Sequence, residues 1–265
     1  MLMVILKRRG PTSGVTDHPF RIAPGIPPPK VGNEAMKLIW PLALTLGVSC
    51  MNTGTSHARL PWQFAQHTRY MVVGDSLGSG YGAIPQTRGY AYQLYQAGII
   101  DKASHTLFCN ASVIGAASAD VLAYQVPLAR VFQPSVITLT VGGNDLAKIL
   151  KNGDPEFAQA VLPEFRSNLN SILAGLVDEL GAAVYISNLY AIDRIPGAAD
   201  MISVFNQIVA GAAGNYGVPV ADLYTPFLRE KGLLLIERQG ASELEIHPTN
   251  AGHTAIARAF AAVMV

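Results

Sequence analysis

Five short apolar runs lie between residues 69 and 223 and predict β-strands. They are Arg69–Val73, Thr106–Ala111, Val136–Val141, Ala183–Leu189 and Val218–Leu223. The first and third are continuously apolar or β-branched rather than alternating, which is typical of strands covered on both faces. We therefore expect a sheet with a layer of helices on each side.

Longer segments with helical spacing separate these runs. Helices are predicted for Tyr90–Ile99, for the stretch that begins at Ser118, for Asp154–Leu180, for Ala198–Tyr216, and from Thr249 to about Met264. Ser118 and Thr249 are expected N-caps, and Pro127 an expected kink. Alternating strands and helices form right-handed βαβ units. The pattern predicts a three-layer α/β/α sandwich with a parallel, about five-stranded sheet, whose ligands bind at the carboxyl ends of the strands.

The N-terminal part of the chain has a different character. Residues 1–58 hold six basic and two acidic residues, so residues 59–265 carry about −3 although the whole chain carries +1. After Met36-Lys37 comes an apolar run, 38–48, which is too short for the ~20 residues that span a bilayer. Followed by Ser56-His57-Ala58, it is typical of a secretory signal peptide over residues 36–58. A buried hydrophobic helix is the alternative interpretation.

Two further expectations concern this part. Residues 1–35, which contain Pro24 and the run 27–29 of prolines, are interpreted as an upstream mis-start or a disordered extension, with Met36 as the true start. Cys50 ends a segment loosely similar to a bacterial lipoprotein box, so lipidation there is the alternative to cleavage after Ala58. Export, to the periplasm or outside the cell, is expected either way, and membrane contact is expected only with lipidated Cys50.

Composition narrows the function classes. A hydrophobic content of 50% and a charged content of 14% exclude a disordered or highly charged chain. A net charge of +1 argues against a nucleic-acid partner. Two cysteines cannot form a disulfide framework, and Cys109, inside a predicted strand, is expected to be a buried free thiol.

Four polar blocks follow predicted strands or precede the last helix. Gly74-Asp75-Ser76-Leu77 follows the first strand, and a serine on such a turn can serve as a nucleophile. The segment 110–118 follows the second strand and offers the backbone N–H of Gly115. The segment 141–145 follows the third and offers the side chain of Asn144, which can donate to an oxyanion. His247 stands on the loop before the last helix.

Each block alone is also compatible with ordinary turn chemistry. Together they supply a nucleophile, a base and oxyanion donors, which are the parts that ester hydrolysis needs.

In order and spacing, the four blocks resemble the signature blocks of the SGNH hydrolase (GDSL esterase/lipase) family. The resemblance covers about residues 69–265 and implies a flavodoxin-like fold and a serine-ester hydrolase without a cofactor. It implies that Ser76 is the nucleophile and His247 the general base. It also implies an oxyanion hole made of the backbone N–H groups of Ser76 and Gly115 and the side chain of Asn144.

One position departs from the family pattern. The family usually has an aspartate three residues before the histidine, and here that position is Leu244. Three supports for His247 remain open: Glu243, Glu245, or a backbone carbonyl that would leave a Ser–His dyad. Asp75 and Asp145 are interpreted as structural, each holding its loop by hydrogen bonds.

Four other interpretations fit parts of the sequence. Residues 74–78 also fit the G-x-S-x-G elbow of α/β-hydrolases, but that elbow normally follows several strands. Residues 78–83 fit G-x-G-x-x-A of dinucleotide sites, although Pro85 favours a loop there. A metal site pairing His247 with His253 lacks a third ligand of suitable spacing. A binding module that lacks catalysis is the non-enzymatic alternative, because of Leu244.

The substrate is only broadly indicated. Short-acyl esters are expected because no lid insertion is evident and the longest loop on the substrate side is 190–199. Lysophospholipid, thioester and carbohydrate esters are the other classes considered. Tyr81, Tyr90, Tyr92 and Tyr95 are interpreted as core residues rather than pocket walls. No motif indicates an oligomeric state.

Overall fold

The computed structural model describes residues 67–100, 106–237 and 245–264. The predicted signal peptide, Cys50, the cleavage site after Ala58 and the extension 1–35 all lie outside these residues, as do Glu243 and Leu244. Within the described ranges, no helix is long and apolar enough to cross a membrane.

Five parallel strands form the sheet, as the sequence predicts. They are β1 (Thr68–Gly74), β2 (Thr106–Asn110), β3 (Val136–Thr140), β4 (Ala183–Ser187) and β5 (Val220–Ala221). Their order is β2-β1-β3-β4-β5, and every neighbouring pair is parallel. The chain therefore runs from β1 outward to β2 and then returns across β1 to β3, which creates a crevice at the carboxyl ends of β1 and β3.

Helices connect the strands of the sheet and follow the last one. They are α1 (Ser76–Ser79), α2 (Tyr90–Gln96), α3 (Ser118–Asp120), α4 (Val126–Phe132), α5 (Gly143–Asn152), α6 (Pro155–Leu173), α7 (Ala198–Asn215), α8 (Tyr224–Arg229) and α9 (Asn250–Ala261). The hydrophobic pattern of the sequence does not predict α5 and α8. The glycines and polar residues at 142–145 suggest only a turn, yet they also begin α5.

Alternate residues of β1 pack into two separate cores. Met71 and Val73 lie with residues of α4, α6 and α7 on one face of the sheet, whereas Tyr70 and Val72 lie with residues of α2, α8 and α9 on the other. All four β1 side chains are fully buried. The expectation of a strand covered on both faces is thus confirmed, together with the three-layer architecture.

The fifth strand is shorter than the predicted run Val218–Leu223. Only Val220 and Ala221 pair with β4. Beyond them, the side-chain oxygen of Asn188 accepts the backbone N–H groups of Leu223 and Tyr224 at 2.6 and 3.1 Å. A side chain therefore satisfies the donors that a longer strand would have given to its neighbour.

The expectation that Ser118 caps its helix is wrong. The N-cap is Ala117, whose N–H donates to the carboxylate of Asp120 at 2.9 Å. The Ser118 hydroxyl is instead fully buried and bonds to Asp145. Thr249 does cap α9, because its hydroxyl accepts the N–H of Gly252.

Two predicted helices change their pitch along their length. A π-helical stretch, Val121–Gln125, joins α3 to α4 without a break, and Pro127, which has no N–H to donate, is the second residue of α4. The predicted helix 154–180 is α6 followed by a second π-helical stretch, Ala174–Glu179.

The end of β1 is held by a buried side chain as well as by its pairing with β3. Gln125, only 2% exposed, accepts the N–H of Gly74 at 2.7 Å and donates to the Gly74 carbonyl at 2.8 Å. This pairing fixes the backbone immediately before residues 75 and 76.

Replacing Gln125 by methionine is expected to lower the free energy of unfolding by about 1–3 kcal/mol, because the buried N–H of Gly74 loses its acceptor. Urea unfolding followed by circular dichroism measures this. The control Gln96→Met, on an exposed position of α2, should stay within about 0.5 kcal/mol of the wild type. Equal stabilities of the two variants would contradict the role given to Gln125.

Candidate active site

Ser76 stands on a tight turn directly after β1. Gly74 precedes it with φ +139°, and a Cβ at Gly74 would lie 2.0 Å from the carbonyl oxygen of Thr140. Only glycine fits this approach between β1 and β3. Ser76 then begins α1, where its backbone N–H has no intrahelical partner.

The carboxylate of Asp75 anchors this turn to the neighbouring strand. Its Oδ1 accepts the N–H of Leu77 and the hydroxyl of Thr140, each at 3.0 Å. Asp75 is buried, and burial raises the pKa of its carboxyl to about 6. These hydrogen bonds match the structural role expected for Asp75.

Asp145 makes the corresponding connection between the loops after β2 and β3. It accepts the N–H of Ser118 at 2.9 Å and the Ser118 hydroxyl at 2.7 Å. Asn168 of α6 donates to the same hydroxyl at 3.1 Å. The structural role expected for Asp145 is thus also present, and it explains why Ser118 is unavailable as a cap.

Ser76 and His247 lie in direct contact, although 171 positions separate them. The Ser76 Oγ is 3.0 Å from the Nε2 of His247. The other ring nitrogen, Nδ1, is 2.5 Å from Oε1 of Glu245. The structure therefore joins Ser76, His247 and Glu245 by consecutive hydrogen bonds.

Of the three supports left open for His247, Glu245 is the one in contact with the ring. It lies two residues before the histidine rather than three, and its Oε1 also accepts the His247 backbone N–H at 3.3 Å. The longer glutamate side chain folds back onto the adjacent ring. Glu245 and His247 are both partly exposed, with 28% and 27% of their side chains accessible.

The three candidate oxyanion donors follow β1, β2 and β3. Gly115 is exposed in the loop between β2 and α3. The N–H of Val113 donates to Gly74 at 3.1 Å, which ties that loop to the end of β1. Asn144, in the first turn of α5, uses its Nδ2 to donate to the carbonyl of Ala116 at 2.9 Å.

The contact between Asn144 and Ala116 was not foreseen from the sequence. An amide nitrogen carries two hydrogens, so one bond to Ala116 still leaves a second N–H. The contact holds Asn144 beside the Gly115 loop.

Two tyrosines at the site were also missed. The ring of Tyr81 lies 4.3 Å from that of His247, so its interpretation as a core residue is wrong. Tyr190 donates from its hydroxyl to the carbonyl of Ile246 at 3.0 Å. Burial and the carboxylates of Asp75 and Glu245 raise the pKa of Tyr190, so it stays a donor. The position of Tyr81 in a loop outside the predicted helices was the only available signal.

Tyr90 packs in the core as expected, because it is fully buried and stacks on Phe260. The rings of Tyr92 and Tyr95 lie 5.1 and 5.0 Å from that of Phe108, but Tyr95 is 38% exposed, so its interpretation as a core residue is wrong. Cys109 is a free thiol, half-buried, and burial raises its pKa.

The remaining motifs have non-catalytic explanations in the structure. Residues 78–83 end α1 and enter a loop instead of opening a helix, unlike a dinucleotide site. Both ring nitrogens of His253 are engaged by the backbone of Tyr81 and Tyr90. Among the described residues, no group of three or more histidine, cysteine, aspartate or glutamate side chains is arranged to hold a metal ion.

A sequence model of the GDSL-like lipase/acylhydrolase family matches residues 72–255, more than half of the chain. The chain belongs to this family. No curated protein sequence matches it significantly. Its membership identifies it as a GDSL-type ester hydrolase, as the four blocks suggested.

Solved structures share the fold of this GDSL-like hydrolase, and two of the three described here are esterases. The esterase EstA from Pseudoalteromonas sp. is 16% identical, with 74% of this chain and 96% of that one covered and a TM-score of 0.55. A catalytic mutant of Axe2, an acetylxylan esterase from Geobacillus stearothermophilus, is 17% identical over 74% and 94% of the two chains, with a TM-score of 0.60. TesA is 20% identical over 72% and 94%, with a TM-score of 0.56.

The raised pKa of Asp75 predicts a specific pH dependence of stability. The folded carboxyl titrates at about 6 and the unfolded one near 3.8, so the folded state binds more protons between these values. Stability from this group is therefore greatest below pH 4 and is lost as the pH rises to 6. Relative to Asp75→Asn, the wild type should lose about 2–3 kcal/mol of unfolding free energy between pH 4 and pH 7.

Urea unfolding at several pH values measures this difference. Asp193→Asn, at an exposed position, serves as the control and should follow the wild type in parallel. A difference between wild type and Asp75→Asn that is constant with pH would show that Asp75 is not the group described.

Proposed function

We propose that this GDSL-like hydrolase cleaves carboxylic esters through an acyl-enzyme on Ser76, with His247 as general base and Glu245 as its supporting acid. The observation that carries the proposal is the unbroken hydrogen-bonded series from Ser76 Oγ through both nitrogens of His247 to Glu245. A nucleophile, its base and an orienting carboxylate within hydrogen-bond reach are the geometric requirement for this chemistry.

In the acylation step, Ser76 Oγ attacks the ester carbonyl carbon while its proton passes to Nε2 of His247. The carbonyl oxygen becomes an oxyanion. His247 then returns the proton to the leaving alcohol oxygen as the C–O bond breaks, and the acyl group remains on Ser76. In deacylation, His247 takes a proton from water, the hydroxide attacks the acyl carbon, and Ser76 recovers its proton as the carboxylic acid leaves.

The backbone N–H groups of Ser76 and Gly115 and the side chain of Asn144 are the proposed oxyanion donors. The backbone N–H of Ser76 has no acceptor within its helix, and the side-chain amide of Asn144 has one hydrogen left to donate. The positions of these donors support the proposal, because all three follow neighbouring strands at the same edge of the sheet. Preorganised donors of this kind stabilise the charge that develops on the substrate oxygen.

Glu245 is proposed to hold His247 in the tautomer with Nε2 free to accept a proton from Ser76. With Nδ1–H donating to the carboxylate, Nε2 carries the lone pair that a base needs. When His247 becomes an imidazolium, the negative charge of Glu245 stabilises it. This contact removes the reason for favouring a binding module, which was the apparent lack of an acid at position 244.

The preferred substrates are proposed to be esters with short acyl groups, and thioesters, lysophospholipids and carbohydrate esters are alternative classes. Among the described residues, the connection from β4 to α7 is residues 188–197, and it contains no helix or strand that could form a lid. A long acyl chain gains about 0.8 kcal/mol per methylene only where the methylene is buried. Without a lid in residues 188–197, we expect little such burial.

Turnover of p-nitrophenyl acetate by the full chain tests the proposed roles. Ser76→Ala should abolish turnover above background, and Glu245→Gln should lower kcat by at least about 10²-fold, because the histidine loses its charged support. Glu243→Gln is the matched control and should retain wild-type kcat.

Turnover that persists in Ser76→Ala would overturn the nucleophile assignment. Near-normal kcat in both glutamate variants would instead favour a Ser–His dyad supported by a backbone carbonyl.

Acyl-chain preference is tested with p-nitrophenyl butyrate and laurate at matched, submicellar concentrations. We expect kcat/KM to be higher for the butyrate, because residues 188–197 hold no helix or strand that could bury a long chain. Faster cleavage of the laurate would refute the proposal of a short-acyl esterase while leaving the roles of Ser76 and His247 intact.

A further inference from the structure

The loop that follows the nucleophile is fastened to the segment that carries the proposed base. Asn250, the first residue of α9, forms a pair of hydrogen bonds with the backbone of Ile84. The Ile84 N–H donates to Asn250 Oδ1 at 2.8 Å, and Asn250 Nδ2 donates to the Ile84 carbonyl at 2.9 Å. An asparagine side chain thus substitutes for a neighbouring strand.

His253, one turn further along α9, also contacts the backbone of this loop. It is fully buried, and its Nε2 is 2.8 Å from the carbonyl oxygen of Tyr81. The N–H of Tyr90 donates to its Nδ1 at 3.4 Å. Burial lowers the pKa of His253, so the ring is neutral with its hydrogen on Nε2, the tautomer that both contacts require.

Gly82 lets the loop approach the His247 segment closely. Its φ is +90°, and a Cβ there would lie 2.2 Å from the carbonyl oxygen of Pro248, the residue after His247. No side chain fits at this position, so the backbone of the loop and that of the His247 segment are in direct contact.

These contacts place the Tyr81 ring against the imidazole of His247. The ring centroids are 4.3 Å apart with an interplanar angle of 59°, and Tyr81 remains 38% exposed. The two ring nitrogens of His247 are fixed by Ser76 and Glu245, and the Tyr81 ring packs against the imidazole in a tilted arrangement. Hydrogen bonds restrain the two edges of the ring, and the tyrosine restrains its tilt.

We propose that Tyr81 is a positioning residue for His247, and that Asn250 and His253 hold it in place. The proposal rests on the function proposed above, because it concerns the orientation of the base in that reaction. The contact keeps Nε2 aimed at Ser76 while Nδ1 faces Glu245. Small errors in such an alignment are costly, since the proton must move along the hydrogen bond to Ser76.

The kinetic test compares Tyr81→Leu with Tyr81→Phe. Tyr81→Leu should lower kcat for p-nitrophenyl acetate by about 3- to 10-fold with little change in KM, because an aromatic contact on the base is lost. Tyr81→Phe keeps the ring and should remain within about twofold of the wild type. Tyr95→Leu is a matched control, because Tyr95 is also 38% exposed and stacks on Phe108.

A change confined to KM would overturn the proposal, because Tyr81 would then be a substrate contact. Equal losses in the phenylalanine and leucine variants would also overturn it, since the hydroxyl rather than the ring would matter.

A double-mutant cycle tests whether Asn250 acts through Tyr81. Asn250→Ala should lower kcat in the wild-type background and have no further effect in Tyr81→Leu. Thermal unfolding of each variant separates this result from general destabilisation. Additive losses in kcat would contradict the proposed route through Tyr81.

Proton NMR of the imidazole resonances gives a readout that does not depend on turnover. Resonances assigned with His247→Gln should be shifted by the Tyr81 ring current in the wild type and in Tyr81→Phe, and this shift should disappear in Tyr81→Leu. An unchanged His247 spectrum in Tyr81→Leu would overturn the proposal. Turnover that persists in Ser76→Ala would defeat the proposed function instead, and the NMR result would still decide the contact.

Discussion

The buried carboxylate of Asp75 joins the end of β1 to the end of β3, and the geometry of the site depends on this connection. One oxygen accepts from Leu77 in the turn at Ser76 and from Thr140 on the neighbouring strand. Gly74 lies opposite Thr140 in the register of the two strands. Since β1 and β3 flank the point where the chain reverses its order in the sheet, this is the crevice in which a parallel sheet places its ligands. Burying a carboxyl there raises its pKa, which is the energetic cost of a rigid turn before Ser76.

The strands were predictable because their chemistry is local and repetitive. The runs around Val72 and Leu139 are apolar without interruption, and such runs fit strands buried on both faces. The end of β5 was not predictable, because the side chain of Asn188 takes the donors of Leu223 and Tyr224. Ser118 illustrates the same limit. Its local sequence favours an N-cap, but a carboxylate from a distant segment, Asp145, captures its hydroxyl.

The residues of the candidate site could be predicted from the sequence, but their arrangement in space could not. Serine, glycine, asparagine and histidine blocks can be recognised from the chain, and the residues fall at the sheet edge where such blocks are expected. Whether Glu243, Glu245 or a carbonyl reaches His247 depends on how a short segment bends, and spacing alone does not encode that bend. The contact of Glu245 with Nδ1 is local, between residues two positions apart, and it depends on that bend. The loop that carries Tyr81 is held instead by Asn250 and His253, which lie far along the chain.

The most direct test of the account is covalent labelling of the full chain with a fluorophosphonate, followed by intact-mass measurement and peptide mapping. Activation of Ser76 by His247 predicts a single adduct located on Ser76, no adduct in Ser76→Ala, and much slower labelling in His247→Ala. No adduct on the folded wild type, or an adduct on another residue, would contradict the claim that His247 and Glu245 activate Ser76 as the nucleophile.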